Sequence, residues 1–371
     1  MRQIAFKQRH GFSLIELMIG MVVGLIVMGA AVQLFKTGTD VATLASQRSE
    51  MQDNVRAALN LLSKDVSMAG SGLPSGGLAL PYGTGAVSSL IACSQTGTCY
   101  LSADTYPNGT VGTTTVSNYM YGLIPQPANG MQAGSPSATI PATGQTPDGI
   151  TVVYEDYSFP LNTYTAAFPA SPDGTSITLA APSPVPAGLP GILDPTGIKV
   201  GDLILLNNAT NGGAFAVGEV TGIAGGGSTL SFANNDPLKV NQSGATQGNI
   251  AYLDGIPSLT ANRIYAVTYF IQQSSDGQPP RLMRQVNGQD AVPVADNIIG
   301  LKFTYDVCDG TNAGACAEIS DPIGAGYSPN NIYKVNIQVI GQTLGVNGKS
   351  QSMALSTSVS TQNLSFTNRY Q

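Results

Sequence analysis

Gly11-Phe12-Ser13-Leu14-Ile15-Glu16-Leu17-Met18-Ile19-Gly20-Met21-Val22-Val23-Gly24-Leu25-Ile26-Val27-Met28 decides how the rest of the chain is read. It opens a run of 24 residues, Phe12 to Phe35, whose one formal charge is Glu16. At about 1.5 Å per helical residue the run spans about 36 Å, enough to cross a hydrocarbon core of about 30 Å. Arg2, Lys7 and Arg9 precede it and no acidic residue does. That bias keeps the short N-terminus cytoplasmic and sends the rest of the chain across the membrane.

Glu16 is the residue that needs a reason. A carboxylate in an apolar helix costs about 2.5–3.5 kcal/mol on insertion scales and calls for a partner. Cleavage between Gly11 and Phe12 would create one: a positive N-terminus four residues from Glu16. In an assembly of staggered parallel helices, that amine reaches the Glu16 of a neighbouring subunit, and charge pairing selects one register.

A short basic leader, Gly11-Phe12, an acidic residue fifth in the count from Phe12 and a long apolar run together resemble the class III signal of type IV pilins and pseudopilins. The resemblance implies that prepilin peptidase cuts after Gly11 and methylates Phe12, with Glu16 serving methylation and assembly. Two plainer readings compete. A secretory signal has an apolar region of about 7–15 residues and a small-residue cleavage site; Met28-Gly29-Ala30-Ala31 imitates the site, but the early Glu16 does not fit. An ordinary signal anchor leaves Glu16 incidental.

Removing Met1–Gly11 leaves 360 of 371 residues, of which about 300 follow the helical part, enough for one large β-rich domain or two small ones. Charged residues make up only 10%, against 44 glycines, which suits an exposed, loop-rich domain better than a cytosolic enzyme. The mature chain carries 13 basic and 22 acidic residues, about −9, which disfavours nucleic acid as a partner. The four cysteines form two close pairs, Cys93/Cys99 and Cys308/Cys316. In a translocated domain these read as local disulfides. Metal binding is the competing reading, without CxxC spacing or a nearby histidine to favour it.

Beyond Lys36, Val41, Leu44, Met51, Val55, Leu59, Leu62 and Val66 recur at helical intervals. No proline intervenes before Pro74, so anchor and stripe read as one helix of about 55 residues, ending at Gly70-Ser71-Gly72-Leu73-Pro74. Gly20-x-x-x-Gly24 is either a helix-packing face or the glycine common in membrane helices. The organisation expected is a leader (1–11), a transmembrane and assembly helix (12–36), an amphipathic soluble half (37–70) and a β-rich domain (71–371). Within that domain, 71–147 reads as an irregular, disulfide-bearing insertion and 148–371 as strand-rich. Strands are expected at 149–154, 176–179, 202–206, 214–220 and 229–232, and more firmly at 263–272, 281–286, 298–307, 332–340 and 352–361. The fold class is α+β, a pilin-like long helix packed on an antiparallel sheet domain with large loop insertions.

Later segments are similar to PilW-type minor pilins: Asn54-Val55-Arg56-Ala57-Ala58-Leu59, Lys64-Asp65-Val66-Ser67-Met68-Ala69-Gly70, Val200-Gly201-Asp202-Leu203-Ile204-Leu205, Pro280-Arg281-Leu282-Met283-Arg284, Ala295–Tyr305 and Ser358–Asn363. Where that family often ends in Arg-Asn, this chain has Gln362-Asn363. J-type pseudopilins of type II secretion share the broad plan, and a membrane-anchored surface adhesin outside any filament is a third reading. The PilW resemblance implies a low-abundance subunit that helps initiate a type IV pilus at or near its tip. It would sit in the inner membrane with a periplasmic C-terminal domain, then in the extracellular pilus. The partners implied are prepilin peptidase, other minor pilins, the major pilin, the inner-membrane assembly platform and a large tip adhesin, with membrane lipid before assembly.

His10 is the sole histidine and lies in the leader, so the mature chain has no imidazole for Ser-His-Asp or Cys-His catalysis or for metal ligation. Glu155/Asp156 and Asp306/Asp309 are the remaining carboxylate pairs, read as solvated strand ends. A calcium site within Asp309–Asp321 is conceivable but has no EF-hand spacing. Gly225-Gly226-Gly227-Ser228 reads as a turn, and no cofactor fingerprint occurs. Nothing points to catalysis by this chain.

Overall fold

The computed structural model describes residues 11–102, 105–107, 110–111, 114–137, 140, 144–169, 174–208, 214–253, 259–273, 278–308, 316–344, 350–361 and 363–364. A single helix, α1 (Leu14–Ser67), runs for 54 residues. The carbonyl of Ser13 starts it by accepting from the N–H groups of Glu16 and Leu17 at 3.0 and 3.1 Å. Tightened bonds from Met68 to Asp65 and from Ala69 to Val66 close its end. Gly70 then turns the chain at φ +75°, a conformation L side chains resist, and its N–H donates to the Val153 carbonyl.

Two compact units divide the chain. The first is the chain up to Glu50 together with Thr343–Gln351. Within it residues 11–39 are exposed throughout, and the Arg48 guanidinium donates to the Gln351 side chain. Val41, expected on the packed stripe, is 61% exposed, because burial along α1 begins only at Met51.

The second unit holds the sheets. Strands β1 (Leu78–Ala79), β2 (Thr110–Val111), β3 (Thr114–Thr115) and β4 (Tyr119–Met120) are two residues each and pair as β1–β4 and β2–β3. Then come β5 (Leu123–Gln126), β6 (Gly149–Glu155), β7 (Thr165–Ala167), β8 (Ser176–Ala180), β9 (Leu203–Asn208), β10 (Phe215–Glu219), β11 (Gly222–Ala224) and β12 (Thr229–Ser231). The last third carries β13 (Leu259–Gln272), β14 (Arg281–Val286), β15 (Val292–Asp296), β16 (Ile298–Val307), β17 (Ala317–Ile319), β18 (Ile332–Leu344) and β19 (Ser350–Ser360). The described strand pairings of the two main sheets are antiparallel.

β13 is the spine. Its first half pairs with β9 and its second with β14, while Ile264–Tyr269 pair with β6 on the other edge. β16 and β18 form the centre of a second sheet, ordered β17-β16-β18-β19. Period-two alternation divides β13 between two cores. Val267, Tyr269 and Ile271 join Met51, Val55, Ala58, Leu62 and Val66 of α1, with Phe303 and Val335 of the second sheet. Ala266 and Phe270 face the other way, onto Leu78, Leu101, Met120 and Tyr121. Described residues of the 71–147 stretch thus pack on the sheet's second face, among them Leu78, Leu101 and Met120, while its Leu123, Met131 and Ile140 join the helix-side core. A third core, around Ile177, Ile204, Leu230 and Phe232, fills the region from Phe159 to Ala261. The chain is thus α+β, one long N-terminal helix with a large antiparallel sheet domain and loop insertions, consistent with a pilin-like fold.

Candidate functional site

Gly11, Phe12 and Ser13 precede the helix in non-helical backbone, and Phe12 is 82% exposed. A Cβ placed on Gly11 would meet nothing within 4 Å. Among the described residues, nothing packs against Gly11 or Phe12. Glu16 lies in the first turn of α1, where the positive end of the helix dipole favours a carboxylate. Among the described residues, no side chain forms a hydrogen bond or ion pair with it. Gly20, Gly24 and Gly29 are similarly unconstrained, since an added Cβ at each would meet nothing within 4 Å. Farther along, the hydroxyls of Thr37, Thr39 and Thr43 donate to carbonyls one turn back, at 2.8–3.2 Å, and so satisfy themselves on the helix.

Residues 6–32 match a family model described as the prokaryotic N-terminal methylation motif. The N-terminus is of the type IV pilin type. A curated relative, the pilin-like protein PilA3 of Thermus thermophilus, is 32% identical over 63 residues, 17% of this chain and 27% of that protein. The match thus spans about a quarter of the relative's length. No solved structure matches. Motif and relative support a pilin-type N-terminal segment, and the motif with the exposed apolar helix suits an inner-membrane anchor.

Cys93–Cys99 and Cys308–Cys316 are disulfides, with S–S distances of 2.03 and 1.93 Å. The carboxylates weighed for chemistry take structural parts. Burial acts to raise Asp156, but the Ser158 hydroxyl and N–H and the Arg263 guanidinium outweigh it, and its pKa is lowered. Arg263 Nε donates to Asp156 at 2.7 Å, and its other nitrogens reach the carbonyls of Gly197 and Thr196 at 2.7 and 3.0 Å. Burial raises the neighbouring Glu155. Asp306 pairs with Lys334 at 2.6 Å. Asp309 lies outside the described residues, and Asp321 accepts from the Gly324 N–H at 2.9 Å, closing a turn. Gly225–Gly227 form a 3-10 turn whose first carbonyl accepts from Ser228 Oγ.

Asp65 and Glu219 are among the buried carboxylates that sequence pattern did not single out. Asp65 sits on the helix face that packs inward, three residues after Leu62. It accepts from Tyr269 OH at 2.6 Å, Arg284 Nε at 3.0 Å and Tyr154 OH at 3.2 Å. Its signal was a carboxylate where a hydrophobe belongs. Glu219 ends β10, fully buried, with Gln95 and the Leu238 N–H donating to it. Burial first, then a hydrogen bond with Asp236 and that group's charge, push the Glu219 carboxyl up to about 9. Glu219 therefore keeps its proton at neutral pH. Gln95 belongs to the Cys93–Cys99 loop, so that disulfide holds the loop against β10.

Proposed function

We propose that the chain is a PilW-type minor pilin, a low-abundance subunit that initiates a type IV pilus at or near its tip. Prepilin peptidase cleaves it between Gly11 and Phe12 and methylates the Phe12 amine. One observation carries this reading: Glu16, in the first turn of an exposed apolar helix, has no partner in its own chain among the described residues. The processed N-terminus of an adjacent subunit supplies a positive charge, and in lipid or a dry helix bundle such a pair attracts far more strongly than in water. Gly20, Gly24 and Gly29 let neighbouring helices approach closely.

Bulk supports a low-copy position. Packed helices lie about 8–10 Å apart, whereas a domain of about 300 residues has a radius of gyration near 19 Å by size scaling. Repeating so large a domain at every helix position crowds it against itself, while a terminal position does not. Partners on this reading are other minor pilins, the major pilin, the inner-membrane assembly platform and a tip adhesin. The domain is periplasmic before assembly, an oxidising setting that agrees with both disulfides.

Mass spectrometry of the protein from sheared filaments tests the reading. It should find an N-terminal methyl-Phe12, and Glu16→Leu should be cleaved yet depleted from filaments. An uncleaved N-terminus, or normal pilus numbers in a deletion strain, would refute it. Intact pili with lost protein secretion would assign the chain to a secretion pseudopilin instead.

A further inference from the structure

β19 is the edge strand of the second sheet, and among the described residues nothing pairs with its outer side. A long open edge is a liability, because its unpaired N–H and C=O groups template pairing with other chains. Folded proteins blunt such edges with charge, with proline or with a covering element. Ser350–Ser360 is eleven residues long and holds no charge, no proline and no glycine. Its side chains alternate. Ser352, Ala354, Ser356 and Ser358 are exposed, whereas Met353, Leu355 and Val359 lie half-buried against the helix-side core. That core therefore has an unfinished margin along β19.

Thr361 is fully buried and still bonded to the sheet, its N–H donating to the Tyr333 carbonyl at 3.0 Å. Backbone groups alternate sides along a strand, so Ser360, Ser358 and Ser356 turn theirs to the open edge. The chain then reverses. The Leu364 N–H donates back to the Thr361 carbonyl at 3.2 Å, closing a four-residue turn that contains Asn363. Leu364 packs on the same core as Val359, against Gly70 and Gly122, where an added Cβ would come within 2.7 and 2.6 Å of it. Ser365-Phe366-Thr367-Asn368-Arg369-Tyr370-Gln371 follows, outside the described residues.

We propose that Ser365–Gln371 docks antiparallel on the open edge of β19 as a fifth strand of the four-stranded sheet. A four-residue loop places Ser365 opposite Ser360. Phe366 then lies opposite Val359, Asn368 opposite Thr357 and Tyr370 opposite Leu355. Opposed residues share a face, so both aromatic rings fall on the core side, in phase with buried Thr361 and with Leu364. Thr367 and Arg369 fall beside Ser358 and Ser356 on the water side, which leaves the segment's one charge in solvent. A slip of one residue would turn Arg369 to the core and both rings to water. Phenylalanine, threonine and tyrosine all favour strands. Seven residues at about 3.3 Å each reach about 23 Å, enough to cover Ala354–Ser360, the part of the edge that holds Leu355 and Val359. The cover closes this edge to strands of other chains.

Two double variants of the full chain, held in detergent, test the register. Ser356→Cys with Arg369→Cys joins a facing pair whose Cα atoms are about 5.5 Å apart, within disulfide reach. Ser356→Cys with Asn368→Cys puts the sulfurs on opposite faces. Mild oxidation and peptide mapping should show an intrachain disulfide forming at least about tenfold faster in the first variant. Equal rates would mean that the segment has no fixed face, and a disulfide between chains would mean that it serves another molecule. Either result would overturn the proposal. Hydrogen exchange reads the same contact without cysteines. The Ser356 and Ser358 amides should exchange at least about tenfold faster in a chain ending at Leu364 than in the full chain, and unchanged exchange would overturn the proposal as well.

Discussion

Glu219→Gln gives the sharpest test of the domain's interior. Glu219 keeps its proton up to about pH 9 in the fold, against an ordinary value of 4.5, because it is buried beside Asp236. The sign follows from linkage. Below pH 4.5 both folded and unfolded chains are protonated there, and the contribution to stability is complete. Between 4.5 and 9 the unfolded chain ionises and the folded chain does not, so stability declines by about 1.4 kcal/mol per pH unit. Above 9 the contribution is gone. Glutamine cannot ionise, so the variant lacks this slope. An amide has one acceptor fewer than a carboxyl, and either Gln95 or the Leu238 N–H loses geometry, so absolute stabilities will differ. The difference in slope is the test. Urea unfolding of both proteins from pH 5 to 8, followed by tyrosine circular dichroism because the chain has no tryptophan, should show the variant gaining about 4 kcal/mol on the parent across that range. Parallel pH profiles would mean that Glu219 is ionised in the fold, and the reasoning would fail.

Asp65→Ala should cost about 3 kcal/mol in urea unfolding, because Arg284 and the Tyr154 and Tyr269 hydroxyls lose a shared acceptor. Asp65→Asn, which keeps one carbonyl oxygen, should cost less. Replacing Cys93 and Cys99 together by alanine should cost about 2 kcal/mol, as expected for a short closed loop. Hydrogen exchange should then rise in the Gln95 and Gly288 amides, whose segments the loop joins.

The helix was legible because its signals are local. An unbroken apolar run, an inward stripe and no proline before Pro74 gave a helix close in length to Leu14–Ser67. Arg281–Val286 and Ile298–Val307 were readable to the residue, since Pro, Asn, Asp and Gly bound each of them on both sides. β13 begins four residues earlier than expected, at Leu259, because Leu259–Asn262 hold only two apolar residues, too few to mark a strand by themselves, and become strand by pairing with β9. Short strands such as β7, β11 and β17 carry three residues each, too few for a period to show. The N-terminal methylation motif is a linear signal, so sequence exposes it, and the structure adds that Phe12 and Glu16 are exposed among the described residues. Asp65 and Glu219 belong to no such linear motif. Each takes a partner from chain more than a hundred residues distant.

That contrast explains why a chain with so few charges hides several of them. Asp65 and Arg284 are 219 positions apart, Asp156 and Arg263 are 107 apart, and Glu219 and Gln95 are 124 apart. Each link joins a segment that apolar patterning specifies weakly: the end of the long helix, the border of the third core, and a disulfide loop with little sequence hydrophobicity. Apolar contacts tolerate sliding, whereas a buried polar group that misses its partner is left unsatisfied, and an ionised one then costs several kcal/mol. Exchanging a whole buried pair for well-packed apolar residues is often neutral or stabilising, so net stability alone does not account for keeping them. Their value here lies in registration. On the helix this matters most, because the residues that fix α1 against the sheet are Asp65 and the stripe from Met51 to Val66, while the residues available to other molecules lie at Phe12, Glu16 and the three glycines of the same helix.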